Sequence, residues 1–235
     1  MPESKRVTLP TNVKPLRYRL TLEPDLDDFT FKGAESIEVE IVDATREITL
    51  NCVEIEVRSC KLTGASGEGQ SPLGTHFDES RETVMFQFDS EIPPGKARLE
   101  IEFTGELNDK LRGFYRSHYT DTDGAQRFMA TTQFEATDAR RAFPCWDEPA
   151  IKATFQLTLV FPSELVAISN MPVSGEIEQS SGLKQVSFED TPLMSTYLLA
   201  FVIGDLAAIE QEAEDGTIIR VWATRGKEEQ GRFAL

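Results

Sequence analysis

Leu99-Glu100-Ile101-Glu102-Phe103 sets an apolar side chain on every second position, with a carboxylate in each gap. A period of two puts the apolar set on one face of an extended chain and the charges on the other, so this stretch reads as a half-buried strand. The same alternation spreads in both directions. N-terminal to it lie Tyr18 to Leu22, Ile37 to Val42, Glu47 to Leu50, Val53 to Val57 and Val84 to Phe88. C-terminal to it come Phe155 to Phe161, Val166 to Ile168, Val173 to Ile177, Val186 to Phe188, Tyr197 to Ile203, Ala207 to Glu212 and Ile218 to Ala223. Turn residues punctuate these runs at Lys32-Gly33, Pro93-Pro94-Gly95, Ser181-Gly182 and Asp215-Gly216. Helical periodicity is almost absent. The pattern predicts an all-β fold, a large antiparallel sheet or β-sandwich, with Gly64 to Gly74 as a surface loop. The Lys-Glu-Glu-Gln composition of Gly226 to Leu235 predicts the start of a helix.

At 235 residues, 40% of them hydrophobic, the chain can bury a substantial core. With 24 Lys and Arg against 40 Asp and Glu, its formal charge is −16. That balance disfavours nucleic acid and anionic membrane as partners and favours cationic ligands. No apolar run approaches the roughly 20 residues of a spanning helix. Cys52, Cys60 and Cys145 are odd in number and lack CxxC spacing, so neither a disulfide framework nor a thiolate metal site is expected, and a reducing, cytoplasmic setting fits. The opening Met1-Pro2-Glu3-Ser4-Lys5-Arg6 is followed by no apolar h-region, and no Asn-x-Ser/Thr sequon occurs.

One segment interrupts the strand pattern, Thr131-Thr132-Gln133-Phe134-Glu135-Ala136-Thr137-Asp138-Ala139-Arg140-Arg141-Ala142-Phe143-Pro144-Cys145-Trp146-Asp147-Glu148-Pro149. In a strand from Arg127 to about Glu135, Gln133 and Glu135 share one face while Phe134 anchors the other. A carboxylate beside an amide carbonyl can accept several N–H bonds from an ammonium group. At about 4 Å and an effective dielectric near 20, such a pair is worth on the order of 4 kcal/mol before desolvation. Residues 137–142 read as a short helical turn, in which Arg140 and Arg141 pair with Asp147 or Glu148. Phe143 to Pro149 reads as an architectural corner, two prolines fixing φ and two aromatics supplying buried area. Cys145 has only His76 and His118 as conceivable imidazole partners, neither in a thiol-protease setting, so a nucleophilic role is not expected.

This segment resembles the substrate-anchoring motif of the gluzincin-type zinc aminopeptidases, in particular the puromycin-sensitive, cytosolic branch. The likeness extends to Leu9-Pro10 with Pro15-Leu16-Arg17-Tyr18, to Leu111-Arg112-Gly113-Phe114-Tyr115-Arg116-Ser117, to Ala167-Ile168-Ser169-Asn170-Met171-Pro172, and to Thr191 through Phe201. The resemblance implies that Glu135 binds the α-amino group of a peptide and that Gln133 lines the first subsite. It also implies a saddle-like β domain, residues 1–225, packed on a thermolysin-like catalytic domain whose start would be 226–235. The same resemblance implies zinc in the parent enzyme, with none bound by this chain. The chain itself has no His-Glu-x-x-His, so no catalytic or metal-ligating residue is expected within it and the fragment is expected to be inactive. Rival readings are a non-catalytic scaffold or interaction domain of an aminopeptidase-like protein, and part of a bifunctional epoxide hydrolase/aminopeptidase. Retention of Gln133 and Glu135 argues against the scaffold.

Overall fold

A computed structural model describes residues 8–65 and 67–235. The opening Met1 to Arg6 and Ser66 of the glycine-rich loop lie outside them. The alternating runs are strands. The fold centres on a nine-stranded sheet whose long central members are Val13–Asp25, Thr30–Ile41, Gly95–Glu106 and Lys152–Pro162. Leu99, Ile101 and Phe103 are all buried, while Glu100 and Glu102 line the wetter face. The period of two is therefore realised as drawn.

The sheet is mixed rather than antiparallel throughout. Val13–Asp25 pairs antiparallel with Thr30–Ile41 on one side and parallel with Lys152–Pro162 on the other, Tyr18 lying opposite Phe155 and Leu22 opposite Leu159. Alternation fixes which face a strand buries and leaves its direction open, so this pairing was not readable from the pattern. Beside it stand a three-stranded sheet (Thr45–Asn51, Gly74–Asp78, Thr83–Ile92), a four-stranded sheet (Gly113–Thr120, Gln126–Gln133, Val166–Ser169, Phe201–Gly204) and a hairpin (Leu206–Glu212, Ile218–Thr224). Inner faces of the first three sheets merge in one core that joins Ile37 and Ile101 to Leu50 and Phe86 and to Phe114 and Ala130. At about 25 cal/mol per Å² of apolar surface removed from water, such a core is what makes the architecture stable.

Three local expectations change. Tyr197 to Ile203 is not one strand: Thr196–Leu198 is a 3-10 turn and the strand begins at Phe201. The Asn170 side chain imposes this, its amide donating to the Leu198 carbonyl at 2.9 Å and accepting from the Ala200 N–H at 2.8 Å. Within the Gly64 to Gly74 loop, Gly69–Gln70 adds a two-residue strand beside Leu62 and Thr63. The C-terminal helix is of 3-10 type, Glu228–Ala234, and rests on the hairpin so closely that a Cβ on Gly231 would lie 2.5 Å from Val221.

Candidate functional site

Gln126–Gln133 pairs along its whole length with Gly113–Thr120, and Ala130 and Thr131 pair with Ile203 and Val202 on the other side. The Thr132 hydroxyl adds a clamp by accepting from the Phe201 N–H at 3.0 Å. The strand ends at Gln133, two residues before the expected limit, and Glu135 opens a turn closed by the Asp138 N–H donating to the Phe134 carbonyl at 2.9 Å. The Glu135–Ala136 peptide is cis. Phe134 is buried while Gln133 and Glu135 are exposed, with Gln133 on the strand and Glu135 on the turn that follows rather than on a shared strand face.

Phe134 belongs to a chain of aromatic contacts running behind the site. Its ring meets Phe143 at 6.1 Å and Phe201 at 6.3 Å, Phe143 meets Tyr18 at 6.0 Å, and Tyr18 stacks on Phe155 at 4.8 Å. Each such pair contributes about 0.5–1.5 kcal/mol beyond its buried area. This chain ties the turn that carries Glu135 to the parallel strand pair of the central sheet.

The basic pair is held from behind. Arg140 donates through Nε to Asp147 Oδ2 at 3.0 Å and pairs with Glu82 at 3.0 Å. Asp147 is buried and also accepts from the Thr196 hydroxyl at 2.9 Å. The expected Arg140–Asp147 pair is thus present. Arg141 departs from expectation: it pairs with Asp138 at 2.7 Å, Glu54 at 2.8 Å and Glu82 at 3.2 Å, and Glu148 instead accepts from the Leu9 N–H. Glu54 and Glu82 lie far upstream of the arginines in sequence, and no local pattern signals them. The consequence for the site is electrostatic. Both guanidiniums are saturated by other carboxylates, so neither neutralises Glu135, which has no ion-pair partner among the described residues. Gln133 Nε2 donates to the Glu135 backbone carbonyl at 3.4 Å.

Phe143, Cys145 and Trp146 are buried, as an architectural corner requires, and the Trp146 N–H donates to the Tyr18 hydroxyl at 3.3 Å. Burial pushes the Cys145 thiol well above its ordinary range, the opposite of what a nucleophile needs. His76 and His118 are exposed on separate strands. Among the described residues no group of three or more His, Cys, Asp and Glu side chains could hold a metal ion, so the residues present do not fit a zinc site. Nor is any described helix long and apolar enough to cross a membrane.

Residues 14–198 match the family described as the Peptidase M1 N-terminal domain. Aminopeptidase 2 of Candida albicans is 47% identical over 233 residues, covering 99% of this chain and 24% of that protein. Aminopeptidase M1-C of Oryza sativa subsp. japonica is 45% identical over 227 residues, 97% of this chain and 25% of its own length. The puromycin-sensitive aminopeptidase of Caenorhabditis elegans is 41% identical over 228 residues, again 97% of this chain and 24% of that protein. The chain thus spans about a quarter of the length of these curated relatives, and it belongs to the Peptidase M1 N-terminal domain family.

Proposed function

We propose that this chain is the substrate-anchoring domain of a cytosolic zinc aminopeptidase, in which Glu135 grips the free amine of a peptide while residues outside the chain cut the first peptide bond. One observation carries the reading. Glu135 presents an exposed carboxylate, free of any ion-pair partner among the described residues, on a turn made rigid by Phe134, Arg140 and Arg141. A peptide's α-amino group, with an ordinary pKa of about 7.7–8.0, is largely protonated near neutral pH and matches that vacancy in charge.

Glu135 accepts from the ammonium and Gln133 Oε1 offers a second acceptor beside it. Together they fix where the chain's first residue lies and hence which bond is presented, so that amino acids leave one at a time. Fixing register in this way lowers the entropy lost on reaching the transition state. In the proposed enzyme, a zinc ion held by residues outside this chain would supply carbonyl polarisation and water activation, and this chain alone would be inactive. The exposed Ile218, Ile219, Trp222 and Phe233 around the C-terminal hairpin support a further domain packing there, with the boundary near 226.

The test is Glu135→Ala in the full-length enzyme, assayed with aminoacyl anilides. Losing a charge-assisted contact of about 1.5–3 kcal/mol lowers kcat/KM roughly 10- to 150-fold. An unchanged kcat/KM on free-amine substrates removes the anchoring role.

A further inference from the structure

The turn that carries Glu135 is held by charges that do not belong to it. Arg141, whose side chain is only 9% exposed, touches both halves of the proposed anchor. Its Nε donates to Asp138 Oδ1 at 2.7 Å, and the Asp138 N–H in turn closes the turn on the Phe134 carbonyl. Its aliphatic stem packs against Gly113, the register partner of Gln133, so closely that a Cβ there would lie 2.7 Å from Arg141 Cβ. Where Arg141 sits therefore bears on where Gln133 and Glu135 sit.

Two carboxylates from outside the segment fix its guanidinium. Glu54 reaches it at 2.8 Å and Glu82 at 3.2 Å, and Glu82 also binds Arg140 at 3.0 Å, so one side chain spans both arginines. Each glutamate stands in a backbone conformation that a residue with a Cβ rarely adopts, Glu54 at φ +60° and Glu82 at φ +52°. Glycine or asparagine would satisfy such turns with less strain. What a glutamate adds at each is a carboxylate within reach of Arg141.

Backbone bonds set the two glutamates in place. The Cys52 N–H donates to the Glu82 carbonyl at 2.8 Å and the Val53 N–H to the Arg140 carbonyl at 3.1 Å, while Asn51 and Cys145 exchange bonds at 2.8 and 3.0 Å. The segments that bear Glu54 and Glu82 are thus docked on the one that bears the arginines. An ordinary surface ion pair contributes little, because water screens it and two long side chains must be ordered to make it. Here the arginines are nearly covered and Arg141 has three carboxylates around it at once, so its place is over-determined.

We propose that, given the anchoring role of Glu135 on which this rests, Glu54 and Glu82 are positioning residues for the peptide anchor: through Arg141 and Asp138 they hold the Glu135 carboxylate where it meets the substrate's ammonium. The test is a double-mutant cycle in the full-length enzyme. It compares kcat/KM on an aminoacyl anilide for the native protein, Glu54→Gln/Glu82→Gln, Glu135→Ala and the triple combination. The glutamines keep shape and remove charge. In the native background they should lower kcat/KM about tenfold, since misplacement of a binding group by about 1 Å can cost on the order of 100-fold. Once Glu135 is gone they should lower it less than about twofold, because no anchor is left to misplace. A merely structural role would depress both backgrounds alike, and such equal losses would overturn the proposal, as would an undiminished kcat/KM in Glu54→Gln/Glu82→Gln. Glu135→Ala without effect on its own would instead remove the anchoring reading, and the positioning role with it. Should urea unfolding show that the double variant does not fold, Glu54→Gln alone, which leaves Glu82 on both arginines, takes its place and must show the same dependence on Glu135.

Discussion

Glu35 offers a test of how the core was built. It lies mid-strand in Thr30–Ile41, on the same face as Phe31, Ile37 and Val39, between Leu20 and Ile101 in the flanking strands. It is buried, and neither carboxylate oxygen has a hydrogen-bond partner. An ionised carboxylate in such a site is far costlier than a neutral one, and burial raises the Glu35 pKa well above its ordinary value. In the unfolded chain the group ionises near pH 4.3; in the folded chain it holds its proton to higher pH. The folded state then binds more protons, so this group's contribution is fully present below the unfolded pKa and is lost as pH rises toward the folded one. The loss runs at about 1.4 kcal/mol per pH unit. Glu35→Gln keeps the shape and abolishes the titration. The difference in Tm between variant and native chain should grow in the variant's favour by roughly 3–6 °C per pH unit above about pH 4.3, since each kcal/mol moves a chain of this size by roughly 2–4 °C. Circular dichroism melts at half-unit pH steps read this directly. Any fixed offset from the amide cancels, because only the slope of the difference with pH carries the ionisation. A difference flat in pH would mean that Glu35 is charged and compensated in the folded state, and the reasoning would fail.

Asp147→Ala removes one of the two carboxylates on Arg140, whose side chain is only 11% exposed, and leaves Glu82 as its remaining ion-pair partner, so it should cost about 1–3 kcal/mol in urea unfolding. Gly113, opposite Gln133 at φ +67°, would place a Cβ 2.7 Å from Cβ of Arg141, so Gly113→Ala should destabilise by about 1–3 kcal/mol. Burial pushes the Cys52 and Cys60 thiols up to about 12 and Cys145 well up as well. At pH 8 a thiol reagent should therefore leave all three unmodified in the native chain and titrate all three in guanidinium; modification of the native chain would contradict the burial.

The β class was legible because the hydrophobic effect acts on each strand separately: a strand with one face in a core must alternate, as Leu99 to Phe103 and Tyr18 to Leu22 do, and that record is local. Phe134 is inside with Gln133 and Glu135 outside as that logic expects, although the strand ends at Gln133 and the turn sets the last two. The role given to Glu135 came from a resemblance and not from alternation, which only says that the side chain meets solvent.

What the sequence by itself determined, then, is the face each residue occupies, the turns between strands, and the motif that marks the family. Tertiary structure alone decided the rest: the parallel partnership of Tyr18 with Phe155, the capture of Arg141 by Glu54 and Glu82, and the sealed position of Glu35. Each of these depends on which distant segments arrive side by side. A two-residue period constrains orientation within a strand and carries no information about the identity or direction of its neighbour, so electrostatic partners tens of residues apart become visible only once the sheets are assembled.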